Sequence, residues 1–418
     1  MHSLRQRQGL VIATLLVAVF VVFGGGFYTG GVFVLPLAGY FHSTRARVST
    51  LFAISGLTSA ISSYVVGWLL DRFPIRWIMA SCLGLCGLSM LFLSRAQDFR
   101  HLLAGYAVLG MGLIAGTNLC AAFTISRSFQ QARGKLLGLI FAGESAGGMV
   151  MTLVAAHVLV HYGRHQGWRA AYVALALPML LIATPMVLLC MRDLPVAGST
   201  PTPAQPQVAP PGLELAQALR TRSFWYLATA WFCSAFGFSA EIAHVIPSLV
   251  AGGFAAAMAA SFWSMALACK AAGQLGLGAI ADWIGARVTW TACFMAGAVA
   301  IVILSLASPS HPISVLVYVV IGGPALGGTI VLAPVVQAYS LGVKRFGSIH
   351  GLLLVLSQLG FMIGPVITGW IFDLTHSYRD GFAIIAALFA LAGLAVFRCA
   401  PLSRLLPAEP LASKAVIG

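Results

Sequence analysis

Long apolar runs, broken by short polar clusters, dominate this chain. A run of about 18 or more apolar residues is long enough to cross a bilayer as a helix. The pattern predicts twelve such helices, over residues 10–40, 47–70, 75–95, 100–126, 135–160, 169–191, 223–251, 256–281, 287–308, 312–341, 346–372 and 380–399. No stretch shows the alternation of a barrel strand, and backbone polar groups cannot stay unpaired in lipid. The expected fold class is therefore an all-α membrane protein. Residues 193–222 differ in character. The segment Gly198-Ser199-Thr200-Pro201-Thr202-Pro203-Ala204-Gln205-Pro206-Gln207 is polar and Pro-rich, which predicts a flexible linker. The expected organisation is a six-helix bundle over 1–192, a cytoplasmic linker over 193–222, a second six-helix bundle over 223–400 and a cytoplasmic tail over 401–418.

Composition agrees with the pattern. Of 418 residues, 60% are hydrophobic and only 8% are charged, so the chain cannot build the polar shell of a water-soluble domain. The formal net charge of +14 would suggest nucleic acid in a soluble protein. Here the basic residues sit in short loops, where Lys and Arg set membrane orientation, and no nucleic-acid partner is expected. Their bias places both termini in the cytoplasm, with Arg45 and Arg47 as exceptions in the first outer loop. The expected location is a bacterial plasma membrane. All eight Cys fall in apolar stretches and read as small buried hydrophobes. Arg5 and Arg7 precede an apolar run that continues to about Tyr40 without a clear cleavage site, so it reads as a retained first helix.

The chain also repeats itself. Gly67-Trp68-Leu69-Leu70-Asp71-Arg72-Phe73-Pro74-Ile75-Arg76 recurs in design as Gly278-Ala279-Ile280-Ala281-Asp282-Trp283-Ile284-Gly285-Ala286-Arg287, with Asp71 and Asp282 211 positions apart. Gly134, Gly138 and Gly147 in the fifth helix match Gly347, Gly351 and Gly360 in the eleventh, all at an offset of 213. A charged turn between membrane helices, repeated once per half, is the pattern of an internally duplicated transporter.

Both turns resemble the loop between the second and third helices of the major facilitator superfamily, Gly-x-Leu-x-Asp-Arg-x-Gly-x-x-Arg. The first copy has Pro74 for the second Gly; the second has Trp283 for the first Arg. The resemblance implies two pseudo-symmetric six-helix bundles. It also implies a conformational latch at the cytoplasmic face, formed by Asp71, Arg72, Arg76, Asp282, Arg287 and Arg133. An acid near a helix N-terminus and basic side chains suits that role. A narrower likeness covers Ser128–Gly143, where Phe129, Arg133, Gly138, Ala142 and Gly143 match the start of the fifth helix in monocarboxylate porters. The first helix, Gly26-Phe27-Tyr28-Thr29-Gly30-Gly31-Val32-Phe33-Val34-Leu35-Pro36-Leu37, resembles the same group and the oxalate/formate antiporters.

Lys270 is the sharpest single residue. It lies in the eighth helix, twelve residues before Asp282, which is roughly 18 Å into the membrane. An ammonium there faces a cavity, a partner or a ligand. In the porters an Arg eight positions before the loop acid binds the carboxylate. Here that position is Gln274, and the cation stands one turn deeper on the same face. Lys270 thus reads as a substrate contact or as a structural ion-pair partner.

Glu241, with His244 one turn on, and Glu144 are candidate proton carriers, since a carboxyl in a narrow membrane cavity can carry a proton. Glu241 could pair with Lys270 or be hydrated near the outer mouth. Glu144 could line the cavity or pair with Arg127. His244 could relay protons or pack. Tyr28 and Asn118 could meet a ligand or bond between helices. No phosphate-binding loop and no metal-ligand spacing occurs, so neither a cofactor nor an enzymatic activity is expected. The reading is a secondary transporter of a small organic anion, a monocarboxylate moved with a proton. An anion exchanger, efflux of an amphipathic compound, and a non-transporting receptor on the same fold stay open.

Overall fold

The computed structural model describes residues 2–70, 72–128, 133–191 and 212–404. Among these residues, twelve helices are long and apolar enough to cross a membrane. They are α1 (Arg7–Tyr40), α2 (Arg45–Leu70), α3 (Ile75–Ser94), α4 (Phe99–Ile125), α5 (Leu136–Gly163) and α6 (Gln166–Cys190) in the first half. The second half holds α7 (Arg222–Ala251), α8 (Ala256–Ile284), α9 (Ala286–Ser305), α10 (Ile313–Leu341), α11 (Ser348–Thr375) and α12 (Arg379–Phe397). Local chemistry starts and stops them. The Asp98 side chain accepts the Arg100 amide at 3.2 Å while His101 Nδ1 accepts the Asp98 amide, closing a reciprocal cap on α4. Thr221 Oγ1 accepts the Phe224 amide at the start of α7. Gly285, at φ 93°, turns the chain between α8 and α9, a conformation that favours glycine.

The two halves repeat one packing scheme. In the first, α1 lies on α5 and α2 on α4; in the second, α7 lies on α11 and α8 on α10. The halves meet along α5 with α8, α2 with α11, and α1 with α7. The glycine repeat shows why. A Cβ on Gly147 would sit 2.0 Å from the Phe20 carbonyl oxygen, and one on Gly360 would sit 2.3 Å from that of Phe232. Each glycine thus lets its helix approach the first helix of its own half. Gly138 and Gly351, also paired by the repeat, both face open space. Leu181, Leu189, Val320 and Leu394 point outward, as lipid-facing side chains do.

The expected linker lies mostly outside the described residues. Its far end forms the short helix Leu215–Leu219 and is tied to the loop before α11. The Leu213 amide donates to the Leu341 carbonyl at 3.0 Å, and Glu214 pairs with Lys344 (3.2 Å) and Arg345 (2.9 Å). This face of the molecule is called the linker end below.

Candidate functional site

The chemistry gathers where α1, α5 and α8 meet. Lys270 stands fourteen residues from each end of α8 (Ala256–Ile284) and is fully buried. Its Nζ donates to the Tyr28 hydroxyl at 2.9 Å and to Ser145 Oγ at 2.8 Å. The hydrogen bonds around Gln274 set its carboxamide orientation. With its oxygen toward the ammonium it accepts from Lys270 at 3.0 Å. Its nitrogen then donates to the Phe141 carbonyl at 3.0 Å and to Ser145 Oγ at 2.8 Å. All three ammonium protons therefore rest on neutral oxygens. The rings of Tyr28 and Phe238 flank the cation, 5.1 and 5.5 Å from Nζ to their centroids.

Local sequence makes this convergence possible. The small-residue run Gly143–Gly148 on α5 lets α1 close in, and a Cβ on Gly148 would meet the Tyr28 ring at 2.6 Å. The Val19–Tyr28 stretch of α1 winds as a π-helix. Just past it the Val32 amide bonds to the Thr29 carbonyl at 3.0 Å, which leaves the Tyr28 carbonyl for Trp263 Nε1 at 3.2 Å. Trp263 lies seven positions before Lys270 on the same face of α8.

Glu144 brings an acid to the site. It is buried beside Ser145 and near Lys270, and no direct ion pair joins the two among the described residues. Asn118, in a π-helical turn of α4 (Ala115–Leu119), lies beside Glu144. Glu144 Oε2 and Asn118 Oδ1 are both buried without a partner. Two adjacent residues thus each present an unsatisfied acceptor.

A cavity of about 590 Å³ runs from this level toward the linker end. Phe27 and Phe238 line it at the midplane; Trp231, Trp290, Phe346 and His350 line it near the starts of α7, α9 and α11. The opposite end is shut. Asp373 at the end of α11 receives the amides of Arg45 (3.0 Å) and Ala46 (2.9 Å) at the start of α2. Arg45 donates to the Tyr378 hydroxyl at 2.7 Å and stacks over Phe372.

Twelve helices arranged as two like halves around a midplane cavity call for comparison with known transporters. The profile of the Major Facilitator Superfamily matches residues 15–356. The chain belongs to the major facilitator superfamily. Its relatives and its fold are those of transporters, not enzymes. It is 25% identical over 381 residues to the uncharacterized MFS-type transporter YcxA of Bacillus subtilis, covering 87% of each chain. It is 24% identical to monocarboxylate transporter 13 of Bos taurus, over 89% of this chain and 84% of that one. It is 27% identical to the 3-(3-hydroxy-phenyl)propionate transporter of Escherichia coli, over 86% of each. Among solved structures, a bacterial homolog of the human lysosomal transporter Spinster, inward-facing and unoccupied, superposes with TM-score 0.76. It covers 96% of this chain and 97% of that one at 18% identity, a likeness of fold.

Within that fold the expected site residues separate into groups. Lys270, Gln274, Tyr28, Asn118 and Glu144 come together, joined by Ser145, a residue that sequence reasoning passed over. Glu241 does not join them: its Oε2 accepts from the Tyr318 hydroxyl at 2.6 Å, linking α7 to α10 inside the second half. His244 stands near the closed end, within hydrogen-bond reach of Ser49 (3.1 Å), the Pro365 carbonyl (2.8 Å) and Tyr378 (3.1 Å). Of the expected latch, Asp71 and the Arg133 side chain lie outside the described residues. Arg72 and Arg76 rest over the rings of their neighbours Trp68 and Trp77. Asp282 is exposed, and Arg287 donates to the Cys399 carbonyl at 3.0 Å within its own half. Among the described residues, the hydrogen bond and ring contacts of these members stay within their own half.

Proposed function

We propose that this protein moves a small organic monocarboxylate across the membrane by alternating access, one proton accompanying each anion. The carrying observation is Lys270: a cation at the middle of its helix, at the seam of the halves, whose hydrogen bonds among the described residues go to the neutral oxygens of Tyr28, Ser145 and Gln274. A substrate carboxylate can replace any of these and gain a charge-assisted hydrogen bond. Two relatives support an acid as cargo, since one is named for monocarboxylates and another for a phenylpropionate.

Charge balance supports the proton. The site pairs one ammonium with Glu144. A substrate anion beside them leaves two carboxyl groups against one ammonium, and a net charge in the bilayer is unfavourable. A proton entering on Glu144 restores neutrality and gives its partnerless Oε2 a role as donor. Rocking of the halves about α5–α8 and α2–α11 then carries the neutral complex across. The bias of loop Lys and Arg supports a plasma membrane protein with both termini, and hence the cavity mouth, on the cytoplasmic side.

Proteoliposomes test the proposal. Labelled carboxylate should exchange in counterflow and accumulate when an inward proton gradient is imposed. Counterflow without gradient-driven accumulation would mean exchange of anions alone. Absence of both, in protein that is folded and inserted, would contradict carboxylate transport.

A further inference from the structure

The cavity is much larger than a two- or three-carbon acid, and its layers carry information about the rest of the substrate. Lys270 does not line it. Phe238 lies against the ammonium on one side and lines the cavity on the other. Phe27 stacks on Phe361 of the other half, with centroids 5.4 Å apart and planes at 20°, and lies 6.1 Å from Phe238. These three rings form an aromatic layer directly below the Lys270 site. One helical turn nearer the linker end, Ser234 on α7 and Gln358 on α11 line the same cavity, joined by Ser55 on α2. The neighbouring hydroxyls are spent: Ser59 donates to the Gly110 carbonyl and Thr329 to that of Leu326. The side chains of Ser55, Ser234 and Gln358 make no hydrogen bond among the described residues.

We infer that the substrate is a monocarboxylate with an aromatic body: the carboxylate meets Lys270, the ring lies on the cavity face of the layer of Phe27, Phe238 and Phe361, and a polar substituent on its far side meets Ser234 and Gln358. This deepens the proposed function and rests on it. A ring laid against aromatic side chains gains ring–ring contact as well as burial, and a cavity of a few hundred Å³ suits a ligand of this size. Phe238 must turn aside for the carboxylate to reach the ammonium, so the same side chain admits the head and holds the body. The unspent hydroxyls and carboxamide would favour a ring bearing a donor or acceptor over a plain one.

Equilibrium binding to the purified full chain tests this with propionate, 3-phenylpropionate, 3-phenylpropionamide and 3-phenylpropylamine. The phenyl acid should bind at least about tenfold more tightly than propionate, the scale of burying one ring. Phe361→Leu, at a ring that lines the cavity away from the ammonium, should shrink that ratio several-fold. Ser234→Ala should weaken a ring-hydroxylated phenylpropionate several-fold more than the plain one. Propionate binding as tightly as the phenyl acid would overturn the aromatic body and leave the carboxylate reading standing. Binding of the amide or the amine in preference to both acids, or no saturable binding of either acid, would overturn the carboxylate reading itself.

Discussion

The Asp373 carboxylate sits on the first turn of the other half's second span, with its Oδ2 2.9 Å from the Ala46 amide. Its Oδ1 takes the Arg45 amide, so one acid satisfies two of the orphan donors at that helix start and meets its positive dipole end. With Arg45, Tyr378 and His244 it holds the end opposite the linker closed. Asp373→Asn keeps the shape and removes the charge, which should weaken the closure by about 0.5–2 kcal/mol. Double electron–electron resonance between labels at the starts of α2 and α12 should show a larger open fraction in the variant. An unchanged distance distribution would show that Asp373 does not bias the equilibrium.

The glycine repeat makes a paired prediction. Gly147→Ala and Gly360→Ala each drive a methyl into a backbone carbonyl and should cost about 1–3 kcal/mol, as overpacking does. Gly138→Ala and Gly351→Ala place theirs in open space and should be neutral or stabilising by up to about 1 kcal/mol through helix propensity. Thermal unfolding in detergent separates the four. Equal losses at all of them would contradict the packing symmetry.

Two buried acids compete for the proton. Glu144 shares its surroundings with Lys270, whereas Glu241 is bonded to Tyr318 elsewhere in the second half. Glu144→Gln should therefore abolish accumulation driven by a proton gradient and spare counterflow, while Glu241→Gln should keep both. The reverse outcome would move the coupling site to α7.

At the linker end, hydrogen bonds from Arg345 and then Lys344 hold the Glu214 carboxyl below its ordinary 4.5. A depressed value means that the bridge contributes fully above the unfolded value and is lost as pH falls through the folded one. Amide protection over residues 213–219, taken relative to the intrinsic exchange rate at each pH, should thus fall as pH drops below the ordinary 4.5, and Glu214→Gln should show the lower protection at neutral pH. Exchange indifferent to both changes would mean that backbone bonds alone hold this segment.

Much of this was legible in the chain itself. Apolar runs located all twelve spans within a few residues, and the spacing of Lys270 from Asp282 placed a cation at the midplane. What neighbours that cation was not legible. Ser145 is one small residue in a run of small residues, and nothing in its type marks it as a Lys partner. Glu144 and Glu241 are alike as sequence; only the seam of α5 with α8 selects the first. Arg45 reads only as an exception to the charge bias and Asp373 is not singled out, because which helix ends meet depends on the conformation. The π-helical turns that turn Tyr28 and Asn118 inward shift side chains by a fraction of a turn, finer than apolar periodicity resolves.

The most direct test of the account is carboxylate binding to Lys270→Gln, Glu144→Gln and the double variant. Glutamine removes the charge and keeps most of the length. Lys270→Gln should lose roughly 2–4 kcal/mol of carboxylate affinity, about thirty- to a thousandfold. The double variant should bind no better, because the cation that meets the substrate is still missing. Undiminished binding in Lys270→Gln, or recovery in the double variant, would make Lys270 only the structural counter-charge of Glu144 and contradict its role as the substrate's partner.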